Sequence, residues 1–136
     1  MNAGTGQGRQ SPADTRMMAM EEAVRQGYPE VALRIRRRIV RPYARTAKSK
    51  HGVQIADWDK PVPDGTEAVV IVDTYDGKPS FFIIPVKAYR KMVRASGPES
   101  PYMKTHAERP VTPGSRHCYI TPAQVARYRD TWQHAT

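Results

Sequence analysis

The chain has 136 residues, 22 Lys and Arg against 13 Asp and Glu, a net charge of +9 and a single cysteine. That length is one domain by prior and can bury one modest core without staples. The lone Cys118 excludes a disulfide framework and a thiolate metal cluster, and reads as a small buried or half-buried thiol. The first eight residues lack the apolar core of a signal peptide, and no apolar run approaches the ~18 residues of a membrane span. The expectation is a cytoplasmic protein whose partners are anionic.

In chain order, residues 1–14 are a polar mixture of Gly, Ser, Gln, Asn and Pro. Such a segment buries too little apolar area to offset its ordering entropy, so it reads as a disordered tail. A helix is expected from Thr15 as cap to Gln26, with Met17, Met18, Met20 and Val24 as its apolar side and Gly27 as its stop. Residues 29–41 fit two patterns. As a strand they alternate Val31, Leu33, Ile35 and Ile39 with Arg34, Arg36 and Arg38. As a helix they place Arg34, Arg37, Arg38 and Arg41 at i, i+3, i+4 and i+7 on one basic face. Pro42 reads as a break in either case. Tyr43–Thr46 and Val53–Ala56 are short strand candidates, and Asp57–Gly65 is a loop.

The clearest structural signal is a pair of apolar runs, Glu67–Thr74 and Pro79–Ile84, around Tyr75-Asp76-Gly77-Lys78. Asp-Gly is a strong hairpin turn signal. Both runs are apolar on both faces, so both read as central strands covered by helices. Pro85 then opens a helix with Val86, Tyr89 and Val93 on one side and only cations on the other, ending at Gly97. Residues 97–116 form a long irregular connection. Thr121-Pro122-Ala123-Gln124 is a complete helix start, with Val125, Tyr128 and Trp132 as the buried stripe. The expected fold is α/β: a small mixed or antiparallel sheet with a central hairpin over residues 67–84, flanked by helices, within one domain spanning residues 15–136.

The chemistry concentrates in Arg34–Lys50, which holds eight basic residues, with no acid between Glu30 and Asp57. Clustered cations are the footprint of a polyanion binder, because each one that meets a phosphate releases condensed counterions. The candidate contacts are Arg34, Arg36, Arg37, Arg38, Arg41, Arg45, Lys48 and Lys50, with Lys87, Arg90, Lys91 and Arg94 as a second patch. Tyr43 is a stacking candidate whose simpler role is core. The bland reading is a face that keeps a small domain soluble or docks an acidic protein. A membrane surface fits less well, because the segment has no apolar face to insert.

Other constellations are thin. His51, His106, His117 and His134 do not pair at metal-ligand spacing. Glu21-Glu22 reads as a solvated helix face and Asp57/Asp59 as a turn. There is no glycine-rich phosphate loop and no nucleophile elbow.

The stretch from Glu67 to Val93, a strand ending in an acid, a turn, an aromatic strand FFIIP and a helix, resembles the second half of restriction-endonuclease-like (PD-(D/E)XK superfamily) chains. Tyr128-Arg129-Asp130-Thr131-Trp132 is similar to their closing Asp-x-Trp helix. Tyr43–Ile55 sits where that family carries its catalytic strand. The resemblance implies a nuclease-derived scaffold over residues 43–134. Members that cut hold a divalent metal on carboxylates beside a Lys. Here the matching position reads Ala44-Arg45-Thr46, without an acid. A literal match, Pro63-Asp64 with Asp76-Gly77-Lys78, is better explained as turn chemistry.

The reading is therefore a non-catalytic nucleic-acid-binding protein, double-stranded DNA first, with no cofactor. Two alternatives stand beside it. One is a Mg²⁺-dependent nuclease drawing on Asp57, Asp59, Asp64 or Asp73. The other is a phage or mobile-element interaction module that docks an acidic protein.

Overall fold

The computed structural model describes residues 11–45, 53–55, 62–95 and 118–136. The expectations for residues 1–10, the turn at 49–52, the loop at 57–61, Gly97 and the connection at 97–116 lie outside them.

Two helices open the chain. Helix α1 is Pro12–Arg25 and α2 is Pro29–Arg36. The α1 cap is Ser11, whose side chain accepts from the Asp14 amide at 3.0 Å. Residues 12–14 are therefore helical rather than part of a tail, and the expected cap, Thr15, is instead buried one turn inside. Its hydroxyl donates to the Ser11 carbonyl at 3.0 Å. The fully buried stripe of α1 is Thr15, Ala19 and Ala23, and of the expected apolar side only Met18 and Met20 pack, half-buried, against the core. Small side chains at i, i+4 and i+8 let the helix lie close on its neighbours, and Met17 and Val24 are left outside.

Residues 29–41 resolve the helix–strand ambiguity in sequence order. Helix α2 takes 29–36, and strand β1 takes Val40–Arg45. Pro42 sits inside β1 rather than breaking it. Strand β1 is an outer strand, where a residue without an N–H is tolerated.

Strand β2 is Val53–Ile55, β3 is Ala68–Asp73 and β4 is Ser80–Pro85. The main sheet has the order β1-β3-β4: β1 runs parallel to β3, with Val40 opposite Ala68 and Arg45 opposite Asp73. Strands β3 and β4 form the expected antiparallel hairpin, Ala68 opposite Pro85 and Asp73 opposite Ser80. Its connection is longer than a two-residue turn. The Asp73 carboxylate accepts from the Tyr75 amide at 2.9 Å, and Gly77 takes φ +92°, open to glycine without strain. Helix α3 is Val86–Ala95. Strand β5, Cys118–Ile120, pairs antiparallel with β2 as a separate ribbon.

Helix α4, Pro122–Val125, has the full capping box between Thr121 and Gln124. The long helix expected from it does not form. It passes into a 3-10 turn at Ala126–Tyr128, breaks at Asp130 with φ +55°, and resumes as a 3-10 turn at Trp132–Ala135. The break lets the chain cross the free edge of β4. The Asp130 amide donates to the Phe81 carbonyl at 2.9 Å, and the Thr131 hydroxyl donates to the Ile83 carbonyl at 2.8 Å. Strand β4 is thus an outer strand, not a central one, and the C-terminal segment blunts its edge.

The result is an α/β fold with the sheet between two covering layers. One face carries Ala68, Val70, Val72 and Ile83 against Ala19, Ala23, Val31, Ile35 and Trp132. The other carries Val69, Ile71, Phe82 and Ile84 against Tyr89, Val93, Ile120 and Val125. No helix among the described residues is long and apolar enough to cross a membrane. Ile83 is fully buried on the hairpin, so Ile83→Ala is expected to cost about 3 kcal/mol, read as a lower urea midpoint at unchanged slope. A loss below about 1 kcal/mol would show that the hairpin is not at the centre of the core.

Candidate nucleic-acid interface

The predicted cations among the described residues lie in both covering layers, those of α2 on one side of the sheet and Arg41 and α3 on the other. Strand β1 and helix α2 lie in one continuous basic run of sequence, but the sheet divides them. Lys48 and Lys50 lie outside the described residues, and of Arg45 only the backbone is described, paired in register with Asp73.

Arg34 is used by the fold. Its Nε donates to the Ala135 carbonyl at 2.8 Å, and its other end pairs with the Glu67 carboxylate. It ties α2 to the C-terminal turn and to the start of β3, across about 100 residues of sequence in the first case. Arg36, Arg37 and Arg38 are exposed at the end of α2. There the cations also favour the negative end of the helix dipole, a purely structural benefit of a few tenths of a kcal/mol to about 1 kcal/mol. The helix ends at Arg36, so the expected face of Arg34, Arg37, Arg38 and Arg41 is not built.

Arg38 has a feature beyond charge. Both helices of the hairpin end in the same two-bond motif. After α1, the Gly27 amide donates to the Val24 carbonyl at 3.0 Å, and the Tyr28 amide to the Ala23 carbonyl at 2.8 Å. After α2, the Arg38 amide donates to the Ile35 carbonyl at 3.0 Å, and the Ile39 amide to the Arg34 carbonyl at 3.0 Å. The first motif places a glycine at φ +95°; the second places arginine at φ +64°. A Cβ in the left-handed region costs about 1 kcal/mol. The fold thus holds a cation where glycine would be easier.

Arg41 and Tyr43 belong to the other face. Arg41 is opposite Val69 and Tyr43 opposite Ile71, both on the α3 side. Tyr43 stacks on Tyr89 of α3, with ring centroids 6.3 Å apart and planes 9° from parallel. It serves the core rather than a base, as its simpler reading had it. Burial raises its pKa above 10.0, with Arg41 acting weakly in the opposite direction. The Arg41 Nε is buried and has no hydrogen-bond partner among the described residues.

Helix α3 carries the regular cationic stripe. Lys87, Arg90, Lys91 and Arg94 fall at i, i+3, i+4 and i+7, spanning about 10 Å. Tyr89 and Val93 are buried beneath them. The helix contains no acid, and none of the four is ion-paired among the described residues.

Glu67 joins the two cationic groups. Its amide donates to the Ile39 carbonyl at 2.8 Å, and its carbonyl accepts from the Val86 amide at 3.0 Å. Ile39, just past α2, and Val86, the first residue of α3, therefore flank Glu67 at one end of the sheet, their backbones two strand spacings, or about 10 Å, apart, while α2 and α3 themselves cover opposite faces. Sequence reasoning treated the groups as separate patches. The missed signal was Glu67 itself, the polar residue heading an otherwise apolar strand.

The carboxylates are distributed differently. Asp64 precedes β3 at that same end of the sheet, while Asp73 and Asp76 lie at the far end, the length of β3 away, about 17 Å. Asp64 cannot share a metal ion with Asp73 or Asp76, so the literal Asp64/Asp76-Gly77-Lys78 match is not one site. No group of three metal-ligating side chains occurs among the described residues. Comparisons with protein-family models, with curated proteins and with solved structures give no match.

Two substitutions separate fold from surface. Arg34→Ala is expected to cost about 1–3 kcal/mol in thermal or urea unfolding and to leave anion binding unchanged. Arg38→Gly is expected to hold or raise stability, by up to about 1 kcal/mol, and to weaken anion binding. The Tyr43 shift makes a pH prediction. Its folded pKa is raised, so its contribution is present below pH 10 and is lost as pH rises from there towards the folded value. Tyr43→Phe should flatten that alkaline loss in a stability–pH profile.

Proposed function

We propose that this chain is a cytoplasmic nucleic-acid-binding protein that grips the phosphate backbone, with duplex DNA as its first ligand. The observation that carries the reading is the α3 stripe, four cations at helical spacing with no acid in the helix, with the exposed Arg37 and Arg38 just past the end of α2. Cations that serve only solubility are usually interspersed with acids. Of the two acids described at that end of the sheet, Glu67 is held by Arg34 and Asp64 is exposed.

Recognition in this reading is by charge and position. Exposed Lys and Arg side chains reach phosphates, and the helix stripe tracks the backbone. Binding is non-catalytic, and the scaffold is the endonuclease-like one that the sequence resembles. Glu67–Val93 folds as the strand, turn, strand and helix the resemblance implies, whereas the closing helix it implies is broken at Asp130, before Trp132. The separation of Asp64 from Asp73 disfavours a nuclease site drawn from that pair.

The test is the affinity for a short duplex as salt is varied. Wild type should weaken linearly in log–log form, with a slope of about 0.9 for each phosphate contacted. Lys87→Ala with Lys91→Ala should lower the slope by about 2. An interaction that is absent, insensitive to salt or unaffected by the α3 substitutions would contradict the proposal.

A further inference from the structure

The αα-hairpin keeps an apolar surface that the sheet does not cover. Met17 is 55% exposed, Val24 53% and Leu33 51%. With Met20 and Pro29 they floor an open groove of about 760 Å³ between α1 and α2. Isolated exposed apolar residues need no explanation, but a contiguous set with a charged rim marks a contact surface.

The rim is ordered. Glu21 and Glu30 border the groove, and so does Arg36. Glu30 is in the first turn of α2 and Arg36 in the last, about 9 Å along the axis. Neighbouring Glu22 is occupied by Arg25 at 2.6 Å and by Gln26 at 2.7 Å. Glu21, Glu30 and Arg36 have no ion-pair partner among the described residues.

We propose that this groove is a self-association surface, on which two copies of the chain pack their hairpins about a two-fold axis. Helix α2 then runs antiparallel to α2 of the second copy. The apolar floors meet, and Arg36 of each copy faces Glu30 of the other. Charge complementarity selects a second copy as the partner. A two-fold axis sets opposite ends of one surface face to face, so a rim with an acid at one end and a base at the other completes itself. A uniformly basic partner would repel Arg36, and a uniformly acidic one would repel Glu21 and Glu30. The net charge of +9 opposes unspecific self-association, which leaves the local pattern to direct it. Two short helices make a small interface, so the dimer is weak, with a dissociation constant on the order of 10 µM. This inference does not rest on nucleic-acid binding.

Sedimentation equilibrium of the nuclease-treated full chain, from about 1 to about 200 µM, tests it. The expected result is a rise from one to two 15.3 kDa chains across that range. Leu33→Asp, at an exposed position, should keep its circular dichroism and stay monomeric. Arg36→Glu should weaken association about tenfold, and Glu30→Arg with Arg36→Glu should restore it to within about threefold. A wild type that stays monomeric throughout would overturn the proposal, as would unchanged dimerisation of Leu33→Asp. A charge swap that associates no better than Arg36→Glu alone would overturn it equally.

Discussion

Strand β3 has no face for water. Its residues from Ala68 to Val72 are buried in strict alternation towards two different layers, and only Asp73 at its end is partly exposed. Much of the architecture follows from that. A strand buried on both sides needs a cover on each, and a chain of this size has few elements to supply them. The αα-hairpin takes one side and α3 the other. The C-terminal segment serves both: Val125 packs on the α3 side and Trp132 on the hairpin side. It gets from one to the other by crossing the edge of β4, at the cost of a broken helix and a left-handed Asp130.

The same constraint sorts the cations. Residues near β3 that carry charge must be paired or pointed outwards. Arg34 is paired, with Glu67 and the Ala135 carbonyl. Tyr43, within the basic run, is drawn inward to stack on Tyr89 and helps to anchor α3. The outward group is Arg36, Arg37, Arg38 and the α3 stripe. Density of charge in sequence was therefore a poor guide to which cations are free, because the densest run contains both paired and exposed ones. The contrast between Gly27 and Arg38, the same motif filled once easily and once with strain, is the local sign that a side chain at Arg38 matters.

The hairpin was legible from its β-branched runs and Asp-Gly, and α3 from the spacing of Tyr89 and Val93 against its cations. The capping box at Thr121 was legible to the residue. What failed did so for tertiary reasons. Methionines outrank alanines on any hydrophobicity scale, yet Ala19 and Ala23 are buried because only small side chains allow close approach. Pro42 looked like a break because one sequence does not reveal which strand is outermost. The helix after Val125 was interrupted by a need of β4 that lies about 50 residues away. For the candidate interface, the residue types were readable, but their division between two faces depended on where α2 ends, and their rejoining depended on Glu67.

The central claim is that the cations left free by this fold, rather than the whole basic run, meet a polyanion. Backbone amide chemical-shift mapping against a short DNA duplex tests it residue by residue. The account predicts shifts concentrated at Arg37–Ile39 and along Val86–Ala95, with Arg34 and the groove residues Glu21 and Val24 unmoved. Shifts centred instead on Arg34 or on the α1 side of the hairpin, or none at all in low salt, would contradict it.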